Sequence, residues 1–323
     1  MFSFSHSYTA AALLAAVCLS APAGAEPLAY ITNQGSDSVS LIDTLSNHVV
    51  GTLALPPGSR PAGVAVSQDG ALAVVTNPES KTLAFIDGRR RAVAQILPLG
   101  NGPVGVAMQP DGARIYATDW YGNAVFVCDG AARKVLGRIP VGRSPSGIAV
   151  SADGGKVYVA NRDDNNVSLI SPANLAVTHT LAVGQHPFGI TLSKDGKRLY
   201  VANVQSNDVT VIDTTAMRVL KTVKVGERPY AIALAQGDQR VLVTNQYDNS
   251  VSVIDADSLA VIGSVAVGEY PEGIATHPDD RHVYVAAWMD GAVSVIDADT
   301  LAVVKTIKTG EGSRAFGRFI PAP

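Results

Sequence analysis

The chain has 323 residues, a formal net charge of −3 and 47% hydrophobic residues. So small a charge gives no bulk attraction to nucleic acids or anionic membranes, and the apolar content argues against a disordered chain. Only two cysteines are present, and one of them, Cys18, stands in the N-terminal apolar run. A disulfide framework is therefore excluded.

The N-terminal segment has the features of an export signal. A short apolar run spans residues 10–20 and is followed by Ala23-Gly24-Ala25, small residues at the spacing of a cleavage site. The run is shorter than the roughly 20 apolar residues that a bilayer span requires. The absence of Lys and Arg from Met1 to Thr9 departs from the usual pattern. We predict a signal peptide over 1–25, a mature domain over 26–323 and a periplasmic or secreted location.

The region after this segment is built from a repeat. The glycines that mark it, each 42 residues after the last, are Gly58, Gly100, Gly142, Gly184, Gly226, Gly268 and Gly310. Each repeat holds four strand-like runs rich in Val, Ile, Tyr and Thr. One set reads GITLS (189–193), RLYVAN (198–203), DVTVID (208–213) and RVLKTVKV (218–225). Four antiparallel strands at this period are typical of one propeller blade.

The two ends of the mature region complement each other. LAYITN (28–33) reads as the second strand of a blade without a first strand, and AFGRFI (315–320) aligns with the first strands of other repeats. We therefore predict an all-β, seven-bladed β-propeller with four antiparallel strands per blade. A C-terminal strand joins the N-terminal blade and closes the ring, which removes free sheet edges.

Two further features have structural interpretations. An Asp follows the third strand of six repeats, where its side chain can hydrogen-bond to the next backbone amides and start a turn. These residues are Asp43, Asp87, Asp129, Asp213, Asp255 and Asp297. Cys128 stands in VFVCD, where sibling strands carry Ile, and is predicted to be a small core residue.

The repeat resembles the YVTN-repeat (YncE-like) β-propeller family. The motifs that carry the resemblance are YITN (30–33), VVTN (74–77), YVAN (158–161 and 200–203) and LVTN (242–245). The resemblance covers the whole mature region and implies the seven-bladed fold. It implies no particular ligand, because the motifs are structural and the family is functionally diverse.

A candidate binding site emerges from positions that vary beside the repeated ones. The residues flanking the repeated Pro become large, polar or aromatic in consecutive later blades, and the loops between second and third strands add aromatic residues there. Tyr, Trp and Arg are the residue types that dominate interface hot spots. The predicted patch at the channel mouth comprises His186, Phe188, Arg228, Tyr230, Tyr247, Tyr270, Glu272, Trp288 and Arg314.

The sequence offers little chemistry for catalysis. Its histidines lack metal-ligand spacing, and there is no haem-attachment motif, phosphate-binding loop or nucleophile elbow. We expect no metal and no cofactor, and the sequence leaves an enzymatic activity open without favouring it. Basic residues on the mouth face are interleaved with acidic ones, so we expect no nucleic-acid partner.

Three functions remain open. The first is a monomeric binding or scaffolding protein that holds a protein partner or small ligand at the channel mouth. The second, implied by resemblance alone, is an accessory subunit of a periplasmic quinone-dependent oxidation system. The third is a lactonase-like hydrolase with His186, Arg228 and Glu272 as its polar set.

Overall fold

The computed structural model describes residues 28–321. The predicted signal peptide lies outside the described residues. In the described part, 27 strands form seven antiparallel sheets, and the one helical element is a short 3₁₀ turn at Arg162–Asp164. The predicted seven-bladed, all-β propeller is confirmed.

The strands follow one another blade by blade in chain order. Blade one contains β1 (Leu28–Asn33), β2 (Ser38–Asp43) and β3 (His48–Ala54). Blades two to four contain β4 (Val64–Val66), β5 (Leu72–Asn77), β6 (Thr82–Asp87), β7 (Ala92–Pro98), β8 (Pro103–Met108), β9 (Arg114–Asp119), β10 (Ala124–Asp129), β11 (Lys134–Pro140), β12 (Pro145–Val150), β13 (Val157–Asn161), β14 (Asn166–Ser171) and β15 (Ala176–Ala182). Blades five to seven contain β16 (Pro187–Leu192), β17 (Arg198–Asn203), β18 (Asp208–Asp213), β19 (Arg218–Lys224), β20 (Pro229–Ala235), β21 (Arg240–Asn245), β22 (Ser250–Asp255), β23 (Ala260–Ala266), β24 (Pro271–Thr276), β25 (His282–Ala287), β26 (Ala292–Asp297) and β27 (Ala302–Lys308).

The C-terminal segment closes the ring, as predicted, but it is not a regular strand. Arg314 N–H donates to Thr32 O at 2.8 Å, and Tyr30 N–H donates to Phe319 O at 2.9 Å, so the segment lies along β1. Between these bonds, Ala315 (φ 47°) and Gly317 (φ 113°) adopt positive φ. These residues interrupt the ladder, so residues 313–319, here called the closing segment, take the innermost, first-strand position of blade one without forming a continuous strand.

The core lies between neighbouring blades. The second strand of each blade is buried on both faces, and the outermost strand is largely exposed, as β17 and β19 show. Five tyrosines at the start of YVTN-type motifs are almost fully buried between sheets, namely Tyr30, Tyr116, Tyr158, Tyr200 and Tyr284. Burying one large apolar side chain contributes about 1.5–3 kcal/mol, so these positions stabilise the contact between blades.

The periodic Gly and the periodic Asn of each repeat have a common cause. In blade five, Asn203 Nδ2 donates to Asp208 Oδ1 and Thr210 Oγ1, both at 2.8 Å, and so ties the turn between β17 and β18. A Cβ at Gly184 would lie 2.6 Å from Asn203 Cγ. The Asn can occupy its bonding position only because the facing residue has no side chain.

Other repeated residues also have structural roles. Asp213 Oδ1 accepts hydrogen bonds from the amides of Thr215 (2.9 Å) and Ala216 (3.1 Å), which confirms the predicted turn role of the repeated Asp. Cys128 is fully buried, and burial raises the pKa of its thiol to about 12. Its predicted place in the core is confirmed.

Candidate functional site

The predicted patch lies where two sets of turns meet at one end of the channel. One set precedes the innermost strands, and the other joins second and third strands. We call this end the mouth face, and the opposite end, with the turns between first and second strands, the hairpin face. In blade six, Arg228 precedes β20 and Tyr247 follows β21, which places both at the mouth face.

A buried polar cluster lies deepest at the mouth. Arg314 Nε lies 2.7 Å from Glu272 Oε2, and Arg314 Nη2 donates to Tyr230 Oη at 2.5 Å. Gln246 Nε2 donates to Glu272 Oε1 at 3.0 Å. Glu272 is 5% exposed, so this carboxylate is held by protein groups rather than by water. The cluster joins blades six and seven to the closing segment.

Burial and charge act against each other in this cluster. Burial raises the pKa of Glu272, and the adjacent Arg314 guanidinium opposes that rise. Burial would lower the pKa of Arg314, but Glu272 and Tyr230 outweigh it and raise the pKa. Burial raises the pKa of the Tyr230 hydroxyl, so Tyr230 remains a neutral partner of the guanidinium.

Three packed aromatic rings close the channel beneath the mouth. The ring centroids of Phe188 and Tyr230 are 4.2 Å apart, and Phe316 lies 4.9 Å from Phe188 and 5.6 Å from Tyr230. All three side chains are buried. We call them the aromatic plug. Two of the predicted binding residues, Phe188 and Tyr230, therefore serve mainly as packing at the channel axis.

Four of the predicted residues form a continuous line on the rim. The Arg228 guanidinium lies 5.2 Å from the Tyr247 ring centroid, Tyr247 lies 6.0 Å from Tyr270, and Tyr270 lies 6.0 Å from Trp288. Trp288 Nε1 donates to Gln34 Oε1 at 3.0 Å, which anchors the line to blade one. Tyr247 is 56% exposed. This rim row (Arg228, Tyr247, Tyr270, Trp288) presents aromatic surface to solvent while its members support one another.

Backbone conformation explains why the rim residues project outward. His186, Arg228 and Tyr270 occupy the residue before the repeated Pro and have φ of 53°, 55° and 59°. The amide of each donates to the Oδ1 of an Asn in the preceding blade, at 2.9 Å for His186 and 3.0 Å for the other two. A left-handed residue fixed in this way leaves its side chain free of the strand ladder.

His186 makes no ring contact with the rim row, but it lies near Arg228, whose charge lowers its pKa. Its Nδ1 is buried and has no hydrogen-bond partner. Burial lowers the pKa of His186, and the nearby Arg162 lowers it further. Of the three polar residues considered for hydrolysis, His186 lies near both Arg162 and Arg228, Arg228 lies over Tyr247, and Glu272 contacts Arg314.

A cavity of about 510 Å³ opens at the mouth beside the predicted patch rather than within it. Of the predicted residues, only Phe188 and Arg314 line it; Trp120 and Tyr121 of blade three form another wall. A Cβ at Gly102 would lie 2.7 Å from the Tyr121 ring, so the absent side chain admits that ring. The candidate site thus extends from the rim row across the plug to blade three.

Gln34, Gln246 and Phe316 complete the site, although we had not assigned them to it. Gln34 and Gln246 lie just outside the repeated motifs, and Phe316 lies in the irregular closing segment. The sequence held a signal for the two glutamines only: each directly follows the Asn of a YVTN-type motif, which is a repeated position.

Within the described residues, no group of three or more His, Cys, Asp or Glu side chains is arranged to hold a metal ion. Over residues 28–321, there is also no helix long and apolar enough to cross a membrane.

Comparisons with known proteins place this geometry among propellers. The profile of the YncE-like β-propeller family matches residues 148–237, and that of the cytochrome D1 haem domain matches residues 201–315. No curated protein sequence matches the chain at a significant level.

Solved structures share the fold at low sequence identity. A functionally unknown protein from Desulfotomaculum acetoxidans has a TM-score of 0.81 and 18% identity, over 92% of this chain and 99% of that one. Hydrazine synthase from Kuenenia stuttgartiensis has a TM-score of 0.74 and 21% identity, over 82% and 91%. The dihydro-haem d1 dehydrogenase NirN, solved in complex with DHE, has a TM-score of 0.69 and 16% identity, over 90% and 65%. The match over residues 148–237, together with the seven-bladed fold, supports the assignment of this chain to the YncE-like β-propeller family.

Proposed function

We propose that this chain is an exported binding or scaffolding protein that recognises a protein partner through the rim row on its mouth face. The observation that carries the proposal is the line from Arg228 through Tyr247 and Tyr270 to Trp288 above a buried base, in which Tyr247 is exposed and the other three are half-buried. Aromatic and Arg side chains that are held rigidly lose little conformational freedom on binding, and such residues dominate interface energetics.

The buried base supports this interpretation. Arg314 and Glu272 form an ion pair beneath the rim, Gln246 donates a hydrogen bond to Glu272, and the aromatic plug fills the axis. The rim therefore rests on a preorganised platform. A partner that docks there would bury aromatic surface without having to order the loops.

The test is affinity capture from the native periplasm with the rim variant Tyr247→Ala/Tyr270→Ala/Trp288→Ala. A matched control is Leu136→Ala/Ile262→Ala/Val304→Ala, which removes exposed apolar side chains from outer strands (46%, 47% and 53% exposed). We expect a partner that the wild type and the control capture and that the rim variant loses. A partner retained by all three proteins would place recognition elsewhere.

A second candidate is an accessory role in a periplasmic oxidation system, such as the quinone-dependent system that the resemblance implies. It is favoured by the match to the cytochrome D1 haem domain and by likeness to hydrazine synthase and NirN. The likeness to these structures is one of fold, so the role rests on analogy.

The mouth residues of this chain do not fit a resident haem. The mouth cavity is lined by no His, Cys or Met, and His186 is not part of its wall. A haem seated there would lack the axial ligands most often supplied by proteins. An accessory role would therefore act through contact with a redox partner, and visible absorption of the captured partner would distinguish the two candidates.

A further inference from the structure

The central channel forms a second cavity on the other side of the aromatic plug. This cavity measures about 370 Å³, and its wall extends to turns of the hairpin face such as those at Lys194 and Asp238. Phe316 of the plug lines this cavity, and Phe188 lines the mouth cavity. The plug therefore separates the two spaces, and the channel is a blind pocket entered from the hairpin face.

The wall of the pocket is mostly apolar. All seven blades contribute to it. The last residues of the inner strands that line it near the hairpin face are Val66, Met108, Val150, Leu192, Leu234 and Thr276. A cavity of this size and character is typical of small-molecule sites, where a few polar groups fix the orientation of an apolar ligand.

Arg318 brings a charge into this apolar wall. Its carbonyl accepts a hydrogen bond from Val66 N–H at 3.1 Å, which places it at the level of those residues. Arg318 lines the pocket, and it is exposed to the space inside the channel rather than buried in the wall. Partial desolvation by the surrounding channel wall lowers the pKa of the guanidinium.

No carboxylate neutralises Arg318 within the part of the chain that the structure describes. The other cation at the pocket, Lys194, is already paired, since its Nζ lies 3.3 Å from Asp280 Oδ2. Asp238 accepts a hydrogen bond from the Lys194 amide at 2.5 Å. Lys194 is thus engaged by a carboxylate of the protein, whereas the deeper guanidinium has no protein counter-ion.

We propose that the channel binds a small molecule with an apolar body and a carboxylate end, with Arg318 as its counter-ion. A guanidinium presents two parallel N–H donors that match the geometry of a carboxylate. The apolar wall would hold the hydrocarbon portion. Because no carboxylate of the described residues pairs with this guanidinium, it is free to bind the carboxylate of a ligand.

Octanoate and octanol test the proposal, because they differ in the charged end group. Isothermal titration with the wild type should show octanoate binding at least tenfold tighter than octanol. In Arg318→Met, the affinity for octanoate should fall at least tenfold and become similar to that for octanol. Arg318→Lys should retain a preference for octanoate, and Arg218→Met, altered on the exposed outer strand β19, should bind like the wild type.

Three results would overturn the proposal. They are no octanoate binding to the wild type, equal affinity for the two probes, or unchanged octanoate affinity in a folded Arg318→Met. Should Arg318→Met fail to fold, the wild-type comparison of the two probes and the Arg318→Lys titration decide the matter. Loss of the rim-row partner would not affect any of these outcomes, because the pocket lies across the plug.

Discussion

Arg314 of the closing segment lies 2.7 Å from Glu272 of blade seven, and the two form an ion pair at the channel mouth. The pair connects the last described residues of the chain to the blade beside the point of closure. Arg314 also donates to Tyr230 in blade six. The contact therefore helps to hold the ring closed and also forms the base under the rim row.

We expect Glu272→Gln to lower the free energy of unfolding by about 3 kcal/mol, because it leaves a buried guanidinium without its counter-ion. Arg314→Met should have a similar effect. The double variant should lose less than the sum of the two, by roughly 1–3 kcal/mol, since the second change removes the group stranded by the first. Urea unfolding of the four proteins gives the coupling. Additive losses would show that the two side chains do not interact.

The sequence predicted the ring better than it predicted the site. A Gly and an Asn recur at the repeat positions of Gly184 and Asn203 because the Gly leaves room for the Asn side chain. An interaction repeated in blade after blade is visible in a single sequence. The binding residues do not repeat, so only their contrast with repeated positions marks them. That contrast located the mouth, but it could not show that Phe188 and Tyr230 point to the axis whereas Tyr270 points outward.

The distinction has a physical origin in the turn before the inner strand. The residue before the Pro is left-handed at Tyr270, and its side chain leaves the ladder. The residue after the Pro already belongs to the strand, as Tyr230 does in β20, and packs at the axis. The cavity beside Trp120 and the place of Phe316 depend on packing across the ring between blades distant in sequence, which no local pattern encodes.

Phe188→Ala should separate packing from binding. Phe188 is 6% exposed and contacts both other members of the plug, so its truncation should cost about 3–5 kcal/mol of stability. Tyr247→Ala, at 56% exposed, should change stability by less than about 1 kcal/mol. Thermal and urea unfolding measure both. Equal losses would contradict the assignment of Phe188 to the plug and Tyr247 to the rim.

The acid sensitivity of the fold should depend on Asp297. Hydrogen bonds from Arg281 lower the pKa of Asp297 from 3.8 to about 2. The ionised carboxylate therefore stabilises the folded state above the unfolded value of 3.8, and this contribution is lost as the pH falls toward about 2. Asp297→Asn should be less stable than the wild type at pH 6, and the difference should shrink between pH 4 and pH 2.

Asp257→Asn, which removes an exposed carboxylate from the preceding blade, is the control for that comparison. Stability is measured by urea unfolding at each pH. A difference between wild type and Asp297→Asn that stays constant from pH 6 to pH 2 would mean that Asp297 does not titrate in this window.

Cys128 should be inert in the folded protein. The thiol is fully buried, and burial raises its pKa to about 12, so almost no thiolate is present at pH 8. Iodoacetamide should leave Cys128 unmodified under native conditions and alkylate it fully in urea, as read by peptide mass spectrometry. Rapid native modification would mean that the sheet of blade three opens locally.

The close approach of blades five and six at the channel should make Gly189 necessary for the stability of the fold. A Cβ at Gly189 would lie 2.3 Å from Tyr230 O and 2.8 Å from Ala231 Cα, both in the backbone of the next blade. Because backbone cannot rotate away as a side chain can, Gly189→Ala must separate blades five and six, and we expect a loss of about 2 kcal/mol or more. Gly51→Ala is the matched control, since its nearest neighbour is a side-chain atom 3.7 Å away. If the two variants unfold at the same urea concentration, β16 and β20 do not approach each other as closely as these distances indicate. The wall of the channel pocket, which these strands help to form, would then be packed less tightly than described.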